Sequence, residues 1–399
     1  MVCNAKHFKL KMLQTLRSHQ RRIAAIKRTA MSASKVYFTD MRCPVGTSLL
    51  QKLTKLMHKA GIDAIDMESK FVAIKLHFGE PGNLSFLRPN FAKTVADLVK
   101  EKGGLPFLTD CNTLYVGRRK HALEHMTAAQ ENGYSPLSTG CQIIIGDGLK
   151  GTDDIEVPVT GGKHFTSAKI GRAVMDADIF ISLNHFKGHE MTGFGGAIKN
   201  IGMGCGSRAG KMAMHSCGKP TVDPEKCRGC KTCSHYCAQN AISFGEDHKA
   251  AIDHDKCVGC GRCIGTCNFD AISNAVDAES TILNERMAEY AQAVLAGRPH
   301  FHISVVNQVS PCCDCHGEND AAVVPDLGIF ASFDPVALDH ACIDAVNAAP
   351  VLPNSALAQC EHKHNDHFTD IHPTTHWRSQ LEHAQNLGLG NMDYELITI

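Results

Sequence analysis

The feature that most constrains this 399-residue chain is a duplication with a period of 30 residues between Val222 and Asn274. Asp223-Pro-Glu-Lys-Cys-Arg-Gly-Cys-Lys-Thr-Cys-Ser-His-Tyr-Cys237 is matched by Asp253-His-Asp-Lys-Cys-Val-Gly-Cys-Gly-Arg-Cys-Ile-Gly-Thr-Cys267, and Ala-Ile-Ser follows at 241–243 and again at 271–273. Each half reads C-x2-C-x2-C-x3-C. Three thiolates so closely spaced reach three iron corners of one cubane, while the fourth cysteine of each half ligates the other cluster. The spacing therefore predicts two [4Fe–4S] clusters. The first sits on Cys227, Cys230, Cys233 and Cys267, and the second on Cys257, Cys260, Cys263 and Cys237. Gly229 and Gly259 lie inside the tight loops, where a missing side chain lets backbone approach the inorganic core. A pair of structural zinc sites is the competing reading. Zinc takes four ligands per site and leaves the third evenly spaced cysteine of each half without a purpose.

The chain holds 19 cysteines, of which these eight fall in two tight groups. In a chain this long, with no secretory h-region near its start, ligation explains them better than a disulfide framework. Lys plus Arg and Asp plus Glu balance at 41 each, so no global field draws the protein to nucleic acid or an anionic membrane. No apolar run approaches the roughly 18 residues of a membrane span. The expectation is a soluble, cytoplasmic protein. Residues 1–34 stand apart: they are basic, carry no Asp or Glu, and place Leu10, Leu13, Leu16, Ile23 and Ile26 along one side of a possible helix. They read as an organelle transit peptide or as sequence upstream of a true start at Met31, and are expected to lie outside the fold.

From Lys35 onward, short apolar runs recur at Lys35–Thr39, Val72–His77, Pro106–Thr109, Gln142–Ile145, Ile179–Leu183 and His302–Val306. Amphipathic stretches separate them, among them Ser48–Ala60, Phe91–Lys102, Arg118–Asn132 and Ser280–Ala296. Near-continuous apolar strands alternating with helices predict an α/β fold, a mostly parallel sheet with helices on both faces. Ligands of such sheets bind beyond the carboxyl ends of the strands. Polar loops follow four of these runs, at 77–83, 110–117, 184–190 and 312–316, which predicts one shared crevice. The expected organisation is a first α/β part at 35–217, an inserted small α+β two-cluster ferredoxin-like domain at 218–276, and a second α/β part at 277–399.

The duplicated segment resembles bacterial two-cluster ferredoxins, with Ala238 and Asn268 where a proline usually follows the fourth cysteine. Outside it, several strings are distinctive: 75–83, 109–119, 147–151 and, most of all, His185-Phe-Lys-Gly-His-Glu-Met-Thr-Gly-Phe-Gly-Gly-Ala-Ile-Lys-Asn-Ile-Gly-Met-Gly-Cys205. Together with Cys313-Asp-Cys315, Val324-Pro-Asp-Leu-Gly328, Asp334-Pro-Val-Ala-Leu-Asp339 and 388–395, they resemble domain-of-unknown-function family 362, often described as uncharacterised iron–sulfur centre proteins. The resemblance runs from about Lys35 to Ile397. It implies a ferredoxin unit inserted into one α/β domain and no particular reaction.

The glycine-rich tract 188–210 fails the phosphate-loop pattern, because five residues separate Gly204 from Gly210-Lys211 and Met212 replaces the required Ser or Thr. Its glycines read instead as close backbone approaches to a cofactor or to the docked ferredoxin unit. His185 and His189 would share one face of a helix, but Gly188 and Gly193 argue against a helix there, so metal or acid–base work competes with plain polar loop residues. Lys199 lies in a segment loosely similar to the nickel-pincer lactate racemase family, and competes with a solvated or anion-binding lysine. Cys313 and Cys315, with the distant Cys205, form a candidate third metal site; a group of buried thiols is the rival reading.

The function read from these features is a redox enzyme passing electrons from the two clusters to a small-molecule substrate. Its crevice is expected to be lined by His77, Asp110, Asn112, His185, His189, Lys199 and Cys205, with His185, His189 and Lys199 as catalytic candidates. A redox partner protein would deliver the electrons. The alternatives are a non-catalytic ferredoxin-type carrier or subunit, and an isomerase-like or cofactor-handling protein on a lactate-racemase-like scaffold.

Overall fold

The computed structural model describes residues 33–399 except 115–116, 216–218, 238, 258, 260 and 275–278. The basic segment up to residue 32 and Cys260, one of the eight expected ligands, therefore lie outside the described residues.

An eight-stranded sheet forms the centre, in the order β16-β1-β15-β14-β7-β2-β3-β4. Its strands are β1 (Ser34–Asp40), β2 (Phe71–Lys75), β3 (Leu105–Asp110), β4 (Gln142–Ile145), β7 (Ile179–His185), β14 (His300–Val306), β15 (Gly328–Ser332) and β16 (Tyr394–Thr398). Five of the seven neighbouring pairs are parallel; β15 runs antiparallel to both β1 and β14. The central strands are buried nearly throughout because both faces are covered: all seven residues of β7 are buried. The edge strand β4 alternates exposed and buried instead.

Successive side chains point to opposite faces of a strand, and each face here supplies a different core. Val72 and Ile74 of β2 and Ile179, Ile181 and Leu183 of β7 pack with the helices Leu49–Lys59 and Pro89–Glu101. Ala73 and Phe180 pack on the other side, with the helices Ala197–Cys205, Ser280–Leu295 and Pro335–Asn347. The local signals are ordinary ones. Ser48 caps Leu49–Lys59 in a capping box with Gln51, and Pro89 opens the next helix at its first turn.

One expectation needs correction. In the glycine-rich tract β8 (Lys187–His189) and β9 (Gly193–Gly195) form a small hairpin, and the helices Ala197–Cys205 and Arg208–His215 follow. Its glycines do mark close backbone approach, but chiefly to other parts of the α/β fold. A Cβ on Gly202 would lie 2.1 Å from the Met287 carbonyl oxygen, so this glycine lets the helix Ser280–Leu295 press against Ala197–Cys205.

The remaining strands form two-stranded sheets, β5 (Asp154–Pro158) with β6 (Ser167–Gly171) and two pairs in the duplicated segment. There, β10 (Pro220–Val222) pairs with β13 (Ile272–Asn274), and β11 (Ile242–Phe244) pairs with β12 (Ala250–Ile252). The strand that opens each half thus pairs with the strand that closes the other. The bonds repeat with the sequence: Asp223 N–H donates to the Ala271 carbonyl and Asp253 N–H to the Ala241 carbonyl, both at 2.7 Å. The central sheet draws no strand from this segment among the described residues.

Candidate functional site

The carboxyl ends of β2, β3 and β7 open on one cavity of about 470 Å³, roofed by the helices Ala197–Cys205 and Arg208–His215. Lys75, the last residue of β2, points into it. Its Nζ donates to Asn200 Oδ1 at 2.7 Å and lies 3.0 Å from Asp110 Oδ1 at the end of β3. Burial by itself would raise the Asp110 pKa, but the Lys75 ammonium beside it works against burial, and the carboxyl stays well below the usual carboxylate range. Arg119 stands beside them, with Nε 2.7 Å from Glu80 Oε2 and Nη1 2.8 Å from His77 Nε2. Burial, then Arg119, hold His77 well below the ordinary histidine pKa, so the ring is neutral.

The opposite wall comes from the segment after β7 and the loop after β14. Lys187 Nζ is 3.2 Å from Asp314 Oδ2, and Lys199 Nζ donates to Cys313 Sγ at 3.4 Å. Burial disfavours the Lys199 ammonium, but the Cys313 and Cys315 sulfurs and Glu190 outweigh it and keep its pKa above the usual lysine value. Cys313 and Cys315 lie side by side, each shifting the other's pKa. Cys313, faced by Lys199 and Lys187, takes the thiolate character, and Cys315 keeps the proton. Burial, then Lys199, lower the pKa of His189, whose ring also faces Cys313. Lys211, on the roof, donates to the carbonyl oxygens of Gly206 at 2.6 Å and Gly204 at 3.3 Å.

Five cations line the cavity, Lys75, Arg119, Lys187, Lys199 and Lys211, against the two carboxylates of Asp110 and Glu190. Glu80 and Asp314 behind the wall pair with Arg119 and Lys187. Lys199 and Lys211 make no ion pair with a carboxylate among the described residues; their polar partners are a sulfur and two carbonyl oxygens. The arrangement suits a small anion.

The shared crevice is present, lined by His77, Asp110, His189 and Lys199 as expected, while three expected members stand elsewhere. Asn112 is turned away, because its side-chain amide donates to Asp147 Oδ1 and the Gly148 carbonyl, both at 2.8 Å. His185 lies behind the wall, clamped between Asp314 and the Asn307 carbonyl at 2.8 Å each. Cys205 ends the helix Ala197–Cys205 fully buried, and its carbonyl accepts from the Cys111 thiol at 3.4 Å. It does not join Cys313 and Cys315; His189 does, the three ligand atoms lying within 4.8 Å of one another. Sequence reasoning passed over Lys75, Lys187, Lys211 and Arg119. A signal was available for Lys75, since a lysine ending an otherwise apolar strand is out of place unless something anionic meets it.

In the duplicated segment Cys227, Cys230, Cys233 and Cys267 line one small cavity together with Phe244 and Ala250. Backbone N–H groups donate to four of the cysteine sulfurs: Ala250 to Cys227, Ala271 to Cys267, Ala241 to Cys237 and Gly259 to Cys257, at 3.3–3.5 Å. Leu114 from the cavity wall and Met212 from the helix Arg208–His215 pack into the same apolar cluster as Cys227 and Cys233. Gly261 lies so close to that helix that a Cβ would meet Arg208 Cγ at 2.8 Å and Met212 Cγ at 3.1 Å.

Comparison with known proteins adds the following. The chain is 30% identical over 131 residues to a thylakoid-associated protein from Synechocystis sp., an overlap of 31% of this chain and 35% of that protein. The chain therefore spans only about a third of that curated relative. Among solved structures it is similar to the lactate racemase apoprotein from Thermoanaerobacterium thermosaccharolyticum, at 12% identity and a TM-score of 0.32, over 69% of this chain and 51% of that one. It is also similar to a protein from Thermotoga maritima, at 14% identity and a TM-score of 0.34, over 75% and 58%. At these values neither structure assigns a reaction or a cofactor. Among the described residues no helix is long and apolar enough to cross a membrane. The sequence profile of DUF362, described as a domain of unknown function, matches residues 72–344, well over half of the chain, and the protein belongs to that family.

Proposed function

We propose that the protein is an iron–sulfur oxidoreductase that reduces or oxidises a small anionic molecule in the cavity beneath the helix Arg208–His215. Residues 218–276 form an inserted ferredoxin-like unit on this reading. Cys227, Cys230, Cys233 and Cys267 hold one [4Fe–4S] cluster, and Cys237, Cys257, Cys260 and Cys263 the other. Two observations support the ligand sets. The cysteine that closes the second half shares a cavity with the triad of the first, as crossed ligation requires. The backbone N–H groups aimed at sulfur are of the kind that tunes cluster potentials. When bound, the clusters supply one-electron carriers.

The observation that carries the functional reading is a shared wall. The helix Arg208–His215 presents Lys211 and His215 to the cavity, and Met212 to the apolar cluster around Cys227 and Cys233. Lys199 and Lys211 hold the anion. His77, held neutral by burial, stands at the cavity to give or take protons.

The test starts with protein purified without oxygen. About eight iron and eight acid-labile sulfide per chain are expected for two such clusters. Small carboxylates and phosphates are then screened for reoxidation of the chemically reduced protein. Lys199→Met and Lys211→Met should each weaken binding of an active compound roughly tenfold or more, the scale of one lost charge-assisted hydrogen bond. Absence of sulfide, or equal binding by wild type and both variants, would reject the proposal.

A further inference from the structure

The loop after β14 returns two sulfurs, Cys313 and Cys315, to the cavity wall, 124 and 126 residues beyond the histidine they meet, His189. Cys313 is 1% exposed and His189 5%, while His189 and Cys315 face the cavity. We propose that His189, Cys313 and Cys315 bind a single thiophilic divalent metal ion, Zn²⁺ in the first instance. Its fourth coordination position opens into the anion cavity. The site is separate from the eight cysteines of the duplicated segment and does not depend on the reading given above for them.

The donor set suits such an ion. Two cysteines and one histidine with one open position is an established pattern of catalytic zinc, in which the ion polarises a ligand oxygen or a bound water. The buried Glu190 carboxylate beside His189 is the kind of outer partner that a ligated imidazole needs. A ligating imidazole carries its proton on the other nitrogen and donates it to a carboxylate or carbonyl. In the metal-free arrangement His189 Nδ1 instead accepts from the backbone N–H groups of Met191 and Thr192, at 3.1 and 3.2 Å. The Glu190 carboxylate stands next to it. Its Oε1 takes a hydrogen bond from His316 Nε2 at 2.9 Å, whereas Oε2 is buried, makes no hydrogen bond and lies 3.8 Å from His189 Nδ1. With an ion on Nε2 the ring proton moves to Nδ1, which gives up the Met191 and Thr192 N–H groups and turns a donor toward that orphaned oxygen. Lys199, 3.4 Å from Cys313 Sγ, and Lys187 balance the charge of two ligating thiolates.

The experiment is metal analysis of the full-length protein, prepared without oxygen, equilibrated with Zn²⁺ and desalted. Iron and sulfide are counted in the same samples. Wild type is expected to retain one zinc per chain. The Cys313→Ser/Cys315→Ser double variant and His189→Gln are expected to lose it, with iron and sulfide unchanged. That unchanged count shows that the variants fold and isolates this site from the clusters. X-ray absorption at the zinc edge should show two sulfurs at about 2.3 Å and nitrogen or oxygen at about 2.0–2.1 Å. Three results would overturn the site: zinc retained equally by the variants, no zinc retained by wild type, or a zinc shell without sulfur.

Discussion

Lys75 and Asp110 face each other with side chains 1% and 4% exposed, whereas Lys93 and Asp97, an i,i+4 pair on a helix surface, are 48% and 42% exposed. The geometry is similar and the energetics are not. Removing one partner of the buried pair strands a charge, so Lys75→Met should lower stability by about 3–5 kcal/mol in urea denaturation. Lys75→Met with Asp110→Leu should restore much of that loss, because no unpaired charge remains. Lys93→Ala should change stability by roughly 0.5 kcal/mol or less. The pair also sets a pH dependence. The Asp110 pKa is lower folded than unfolded, so its contribution is complete above the unfolded value of about 3.9 and is lost as pH falls below it. In Lys75→Met that acid-side loss should be visibly smaller, a comparison made by denaturation at pH 3 to 6.

At the scale of elements, the helix Ala197–Cys205 has no cap of its own: Gly196 at its N-cap offers no side chain. The cap comes from another helix. Asp339, in Pro335–Asn347, accepts from Ala197 N–H at 2.6 Å and Ile198 N–H at 2.9 Å. Asp339→Ala should cost about 1–2 kcal/mol, the upper range for a lost cap, and shift Lys199 in the cavity. Burial pushes the Asp339 carboxyl up to about 7, against the pull of the two N–H groups. The folded state then keeps a proton that the unfolded state releases near pH 3.9. This group's share of stability is therefore complete below that pH and declines as pH rises towards 7. Comparing wild type and Asp339→Asn across pH 4 to 8 isolates the effect. The same helix meets Ser280–Leu295 through Gly202, and a methyl there collides with backbone that cannot rotate aside. Gly202→Ala should lower stability by about 1–3 kcal/mol, the usual cost of overpacking, measured by thermal unfolding.

At the scale of the molecule, the duplicated segment and the α/β domain share apolar contacts through Leu114 and Met212, and Lys120 pairs with Asp270 across the same boundary. On the proposed reading, removing the iron of the duplicated segment should therefore loosen the cavity wall as well as the segment, and raise amide exchange in the helix Arg208–His215. The proposed crossed ligation makes a sharper prediction. Cys233→Ser and Cys267→Ser, 34 positions apart, should perturb the same cluster and leave the same residual paramagnetic signal after reduction. Cys237→Ser, only four positions from Cys233, should perturb the other.

The alternation of apolar runs with amphipathic stretches was enough to read β2, β3 and β7 as strands of a mostly parallel sheet, because burial on both faces marks most residues of a short segment. The period of 30 residues was equally legible, since cysteine spacing within a half is a local property of the chain. The helices at 197–205 and 208–215 were not, because glycines required for close packing imitate those of a loop. The make-up of the cavity was open too. Strand order departs from sequence order: β14 lies between β7 and β15, and that neighbourhood brings Cys313 and Cys315 to His189. It also leaves Asn112, His185 and Cys205 to hold the wall from behind. Strand identities and cysteine spacing are written within a few residues of chain and are determined by the sequence alone. Which distant side chains share one cavity depends on how loops from different strands converge, and only the tertiary structure decides that.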